Sequence, residues 1–246
     1  MIKKIAVGII VLSIASLTLV GCGSKANEDV LIMGTEAEFM PFEYREGNEI
    51  VGFDVDIAHK VAEKLGKKLK VEDMEFGGLI AALETGKIDF IAAGMSKTPD
   101  KEKQVNFSDS YYTASQMVII KADDTSITSG EDLKGKKIGV QLGTTGEEIA
   151  RGIEGAEVVS FDKVTIAILD LANGRLDAVV LDAEPAKNYT KDNEAVKVLE
   201  EELTNEEYGI AVSKKDQELL DAINETLQEL KESGEYQELV NKYFKD

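Results

Sequence analysis

The chain has 246 residues, 43% of them hydrophobic and 30% charged, with a formal net charge of −19. That apolar share is enough for the core of one large or two small domains and excludes a chain disordered throughout. The excess of acid argues against nucleic acid and anionic membrane surfaces as partners, because their phosphates would be repelled.

Lys3 and Lys4 precede an apolar run, Ile5 to Val20, that closes on Gly21-Cys22. A basic start before so short an apolar stretch predicts a signal peptide over residues 1–21 rather than a membrane span. Leu19-Val20-Gly21-Cys22 resembles the bacterial lipobox, in which the Cys is acylated and becomes the mature N-terminus. Cys22 is the only cysteine, so it has no partner for a disulfide within the chain. The expectation is a protein anchored by lipid at Cys22 to the extracytoplasmic face of the cell membrane, since several acyl chains hold where one does not. Residues 22–29 read as its polar tether.

Val30 to Met33 is a short apolar run closed by Gly34, the pattern of a buried strand. A loop from Thr35 to Asn48 carries Glu36, Phe39 and Pro41-Phe42-Glu43-Tyr44. Asp54 is placed to N-cap a helix with the stripe Ile57, Val61, Leu65 and a stop at Gly66. His59 sits off that stripe. Leu69 and Val71 alternate with charged residues as a strand does. A helix over Gly77 to Leu83 and a strand over Ile88 to Ala93 complete a βαβαβ order, and the near-continuous apolar run predicts a parallel sheet covered on both faces. Asp100 to Gln104 suits one helical turn. Ser115 to Lys121 is a β-rich run read as the crossing into a second lobe, and Ser129-x-x-Asp132 resembles a capping box.

A second α/β series begins at Ile138-Gly139-Val140. Thr144-Thr145 opens a helix with Glu147 and Glu148 in its first turn. A strand at Val158-Val159, a helix at Val164 to Leu171 and a strand at Ala178 to Leu181 follow. Tyr208 to Val212 is the candidate return strand. Leu219, Ile223, Leu227 and Leu230 stripe a C-terminal helix ended by Gly234, and Leu239, Val240 and Tyr243 mark a final short one. No Pro/Gly-rich linker separates the halves, so a hinge made of strands is expected. Its lobes would be residues 30–116 with 209–246, and residues 117–208.

One pattern occurs twice. Leu83-x-x-Gly86-Lys87-Ile88-Asp89 and Leu171-x-x-Gly174-Arg175-Leu176-Asp177 each precede an apolar run. Each predicts the last turn of a helix, a left-handed Gly cap and a buried strand. The strands end at Gly94 and Asp182, where ligands collect in open α/β sheets. Two lobes facing one another there would put both residues in one cleft.

The stretches Pro41-Phe-Glu-Tyr44, Val51-Gly-Phe-Asp-Val-Asp56, Gly78-Leu-Ile-Ala-Ala-Leu83, Ala93-Gly-Met-Ser-Lys-Thr-Pro99, Val105-Asn-Phe-Ser-Asp109, Asp132-Leu-Lys-Gly-Lys136, Val140-Gln-Leu-Gly-Thr-Thr145 and Ala172-Asn-Gly-Arg-Leu-Asp177 occur in order behind the lipobox. Together they resemble the extracellular solute-binding proteins of ABC importers, in the branch that binds polar amino acids. The resemblance implies an α/β, two-lobed periplasmic-binding-protein-like fold, each lobe a sheet flanked by helices, joined by two crossing strands. It also implies a monomer without cofactor or metal that closes around one amino acid and docks on a transmembrane permease. Carried over by residue, Gly94 supplies a backbone carbonyl and Ser96 a hydroxyl, with Met95 between them. Lys101 stands where the family usually has Arg. Thr144 and Thr145 lie at a helix start in the second lobe, and Asp182 at the matching strand end. Glu36, Phe39 and Phe76 stand where relatives line the side-chain pocket, with Gln141 as a neighbour.

The chemistry fits these positions. A helix start at Thr144-Thr145 offers unpaired N–H groups and a positive dipole end to the ligand's carboxylate. Asp182, the Gly94 carbonyl and the Ser96 hydroxyl can surround its ammonium. Hydrogen bonds to charged groups contribute about 1.5–3 kcal/mol each, so four or five of them, less the costs of association and closure, suffice for micromolar binding. Plainer roles exist for each residue: Asp182 and Thr145 as helix caps, Phe39 and Phe76 as core. Lys101 either holds the carboxylate as a mobile point charge, where Arg would grip it with two parallel bonds, or points to solvent. Glu36 between two Phe residues favours a cationic side chain (arginine, lysine or histidine) over glutamine, cystine or another polar ligand.

An enzyme is not expected. With one His and one Cys, no Ser-His-Asp triad or Cys-His pair can be assembled, and there is no phosphate loop or H-x-x-x-H spacing. The alternative on the same fold is a carboxylate-based dehydratase using Glu36, Glu184 and Lys101. A receptor within the same chain is not expected either, for want of a transmembrane or signalling segment.

Overall fold

A computed structural model describes residues 29–244. The expected signal peptide, the lipobox-like stretch with Cys22 and the expected tether up to Glu28 lie outside the described residues. The chain opens with β1 (Val30–Thr35), then three short strands, β2 (Glu38–Phe39), β3 (Glu43–Glu46) and β4 (Glu49–Val51), which pair as a small antiparallel sheet. The stretch expected to be a loop is therefore hairpins too brief to show an alternating pattern. Helix α1 (Phe53–Lys64) buries Ile57 and Val61 as its stripe requires, and Gly66 follows it at φ +64°. Asp54 does not cap it. Gly52 holds the N-cap position, and Asp54 is buried in the first turn with its carboxylate turned elsewhere.

Strand β5 (Lys68–Asp73), helix α2 (Leu79–Glu84), β6 (Phe90–Ile91), α3 (Pro99–Glu102) and β7 (Val105–Phe107) complete the first series. Strand β8 (Tyr112–Ala114) leads into β9 (Gln116–Lys121), and Ser129 and Asp132 do form the reciprocal capping box of a short 3₁₀ turn. The second series is β10 (Lys137–Gln141), α4 (Thr145–Gly152), β11 (Glu157–Phe161), α5 (Val164–Ala172), β12 (Ala178–Asp182), α6 (Ala183–Lys191) and β13 (Val196–Glu202). Strands β14 (Glu206–Tyr208) and β15 (Ala211–Ser213) precede α7 (Gln217–Ser233) and α8 (Glu235–Tyr243). Asp216 caps α7 through the Leu219 N–H at 3.0 Å, and Gly234 ends it at φ +88°. Its buried Leu219, Ile223, Leu227 and Leu230 stabilise the packing by roughly 2 kcal/mol each.

Two five-stranded sheets result, in the orders β5-β1-β6-β15-β7 and β11-β10-β12-β9-β13. Within each, the first three strands are parallel and the fourth runs antiparallel to its neighbours. The chain passes between them on β8 and β14, which pair antiparallel. The crossings thus lie a few residues before the runs read from sequence, because β9 pairs wholly within the second sheet and β15 within the first. The repeated pattern has one geometry in both sheets. Gly86 and Gly174 each sit at φ +71°. Asp89 donates its N–H to the Ile32 carbonyl and accepts the Ile32 N–H at 2.7 Å; Asp177 does the same with Lys137, also at 2.7 Å.

Candidate functional site

The carboxyl ends of β6 and β12 meet across a cleft lined by Phe39, Phe76, Gly94, Ser96, Lys101, Gln141, Thr144, Thr145 and Asp182. All nine lining residues were singled out from sequence. Glu36 joins them from behind, since its Oε2 accepts a hydrogen bond from the Gln141 amide. Met95 is placed elsewhere: its side chain packs in the apolar core of the first sheet with Leu79 and Ile91, because alternation along the chain turns it away from Gly94 and Ser96. Glu184 also lies apart, paired with Lys187 on α6 and absent from this cleft, so it does not join Glu36 and Lys101 there as the dehydratase alternative requires.

Each wall has a local cause. Gly94 adopts φ +52° and lets the Phe39 ring lie over its backbone; a Cβ there would stand 2.6 Å from the ring. Its N–H donates to Asp54 at 2.9 Å, and the same carboxylate oxygen accepts the Tyr111 hydroxyl at 2.7 Å. Burial pushes Asp54 up to about 7. Asp54 is thus spent on fixing Gly94, which an N-cap reading could not reveal. Thr144 is the N-cap of α4, accepting the Glu147 N–H and donating to the Gln141 carbonyl, so its hydroxyl proton is spent within its own turn. Thr145 is the first residue of the helix proper, where backbone N–H groups lack partners within the helix.

Asp182 holds the N-cap position of α6 yet makes no side-chain cap bond. Its carboxylate turns instead to the Tyr208 hydroxyl at 2.5 Å. Burial pushes it up to about 6 against the pull of hydrogen bonds from Tyr208 and Gln116. Lys101 is 6% exposed, and its Nζ has no hydrogen-bond partner among the described residues. Burial lowers it, opposed by the fields of Glu148, Asp182 and Glu206. Burial also lifts Glu36 to about 7, although Gln141 holds one oxygen; the other, Oε1, is buried without a partner. The cleft therefore presents one unpaired cation and two buried carboxyls, whose cost the hydrogen bonds from Tyr208, Gln116 and Gln141 offset only in part.

Contacts across the cleft hold the halves together. Glu36 meets Gln141, Glu38 meets Lys163 and Thr165, and the Tyr189 hydroxyl donates to the Glu38 carbonyl at 2.6 Å. Sequence reasoning missed the residues of the crossing strands: Tyr208, which steadies Asp182; Glu206, which accepts the Ser96 and Thr145 hydroxyls; and Gln116, at the start of β9. Their partners lie far away in the chain, so no local pattern marks them.

Comparison with known proteins agrees with this arrangement. The chain is 39% identical over 227 residues to the arginine-binding extracellular protein ArtP of Bacillus subtilis, covering 90% of this chain and 89% of that protein. It is 35% identical to a probable histidine-binding protein of Campylobacter jejuni, covering 89% of this chain and 87% of that one. An ancestral arginine-binding protein bound to arginine superposes with a TM-score of 0.85 at 45% identity, over 88% of this chain and 99% of that one. Residues 31–246 match the family described as bacterial extracellular solute-binding proteins, family 3, and the chain belongs to that family.

Proposed function

We propose that this protein captures one polar L-amino acid with a cationic side chain, arginine foremost, and hands it to the permease of an ABC importer. The reading places the first lobe in residues 30–116 and 209–246 and the second in 117–208. It makes the protein a monomer held on the extracytoplasmic face of the membrane by acyl chains on Cys22. The observation that carries it is the unpaired Lys101 Nζ set in one small cleft with Asp182 and with Glu36 Oε1 behind Gln141. A cationic amino acid supplies a counter-charge to each: carboxylate to Lys101 and the start of α4, ammonium to Asp182, side-chain cation to Glu36. The relatives named above, which bind arginine or histidine, support the same class of ligand. The reading gives the protein no catalytic role.

The test is a thermal-shift screen of the soluble form from Gly23 onward against the twenty amino acids. A ligand at a thousand times its Kd adds about 4 kcal/mol to the folded state. Arginine, lysine or histidine should raise the midpoint well above the rest. A flat screen, or a preference for an acidic amino acid, would overturn the reading.

A further inference from the structure

Glu206 lies on the crossing strand β14 and belongs to neither sheet, yet it reaches the cleft residues of both. Its Oε2 takes the Ser96 hydroxyl at 2.5 Å, beyond the end of β6, and the Thr145 hydroxyl at 2.7 Å, at the start of α4. Its Oε1 takes the Thr204 hydroxyl at 2.8 Å. An ionised carboxylate has no proton to give, and a hydroxyl has only one. Both cleft hydroxyls must therefore donate to Glu206. Thr145 Oγ1 accepts in addition from the Gln116 amide at 3.1 Å. What remains on the cleft side of these oxygens is lone pairs: one on Thr145 and two on Ser96.

We propose that Glu206 is a positioning residue that turns the protons of Ser96 and Thr145 away from the cleft, so that both hydroxyls face the ligand only as acceptors and read its α-ammonium. The inference rests on the amino-acid reading above and deepens it. Left free, each hydroxyl could rotate to donate to the α-carboxylate, and the two ends of the ligand would compete for the same oxygens. With Glu206 in place, recognition is divided. Lys101 and the α4 amides take the anion; Asp182, Ser96 and Thr145 take the cation. Because β14 is a crossing strand, the division does not depend on either lobe alone.

The test compares three probes on the unaltered protein and on Glu206→Ala by titration calorimetry: L-arginine, L-argininamide, which keeps the amine and loses the carboxylate charge, and 5-guanidinopentanoic acid, which keeps the carboxylate and lacks the α-amine. Alanine removes the acceptor of both cleft hydroxyls, which are then free to turn a proton into the cleft; its unliganded fold is checked by its melting temperature. Arginine and argininamide should lose about tenfold or more in affinity, the value of a charge-assisted hydrogen bond. Guanidinopentanoate should change by less than about threefold on the same argument. Ser96→Ala, whose unliganded fold is checked by its melting temperature, should show the same dependence on the amine. Combined with Glu206→Ala it should lose little more than either alone. An equal loss for all three probes would mean that Glu206 only stabilises the hinge, and a loss confined to the probes with a free carboxylate would assign the hydroxyls to the wrong end; either overturns the proposal. If the unaltered protein binds no amino acid, the functional reading falls first and this one with it, and the wild-type titration alone tells the two failures apart.

Discussion

Replacing Asp182 with Asn should stabilise the unliganded protein and weaken its binding at once. The carboxyl is 5% exposed and burial raises it from 3.8 to about 6. A raised acid contributes most to stability below its unfolded value and loses that contribution as pH climbs through its folded value. At pH 8 the shift of about two units, at roughly 1.4 kcal/mol each, makes the ionised group destabilising by about 3 kcal/mol, and at pH 4 by less than about 1 kcal/mol. Asparagine keeps the shape and the acceptor for Tyr208 and never ionises. Urea unfolding without ligand should therefore show Asp182→Asn more stable by up to about 3 kcal/mol at pH 8, less the cost of burying the amide, and nearly unchanged at pH 4. Titration with L-arginine at pH 8 should show a loss of roughly 10- to 150-fold, the loss of a hydrogen bond to a charged group. An Asn variant that is less stable at pH 8, or that binds arginine as before, would refute both the burial argument and the placement of the ammonium.

Three further outcomes follow from the same geometry. Glu36→Gln should lower arginine affinity tenfold or more, and calorimetry with glutamine should show little change; equal losses would remove Glu36 from the side-chain subsite. Binding of arginine near pH 6.5 should release protons, because Glu36 and Asp182, lifted to about 7 and about 6, give theirs up when cations arrive. Affinity should accordingly rise between pH 5 and 8, and the release is read by titrating in two buffers of different ionisation enthalpy; a zero difference would contradict it. Gly94→Ala should destabilise by roughly 1–3 kcal/mol through its left-handed backbone and the Phe39 ring, and should weaken binding, by denaturation and calorimetry respectively.

The sequence made most of the cleft legible because its walls sit at strand ends and helix starts that carry strong local signals. The Gly86 and Gly174 caps, the Thr144 N-cap and the α7 stripe all formed as their patterns predict. Helix α6 escaped because only Ala183, Pro185 and Ala186 are buried along it, too few and too small to make a stripe. Strand β6 is shorter than its apolar run, since only Phe90 and Ile91 pair while Asp89 ties the chain to Ile32. Asp54 shows the limit of local signals. An Asp just inside a helix start looks like a cap, and only the folded chain shows that it holds Gly94 and Tyr111 instead. Whether Asp182 capped a helix was likewise open until Tyr208, on a distant strand, took up its carboxylate.

The proposed selectivity for a cation follows from the charges that closure would trap. Apart from Glu206, whose carboxylate is satisfied by three hydroxyls, Glu36, Asp182 and Lys101 bring a net charge of minus one to the ligand, and desolvation makes any unpaired member expensive. A neutral zwitterion pairs Lys101 and Asp182 but leaves Glu36 buried alone, so Glu36 must keep its proton near neutral pH. Arginine carries the one extra positive charge that balances the set. Its differential stabilisation of the closed form is thus larger than glutamine's by the free energy of pairing Glu36, and a ligand shifts the lobes only by as much as it prefers that form. Affinity, proton release and closure are then three readings of one quantity. A variant that changes the charge at position 36 must move all of them together.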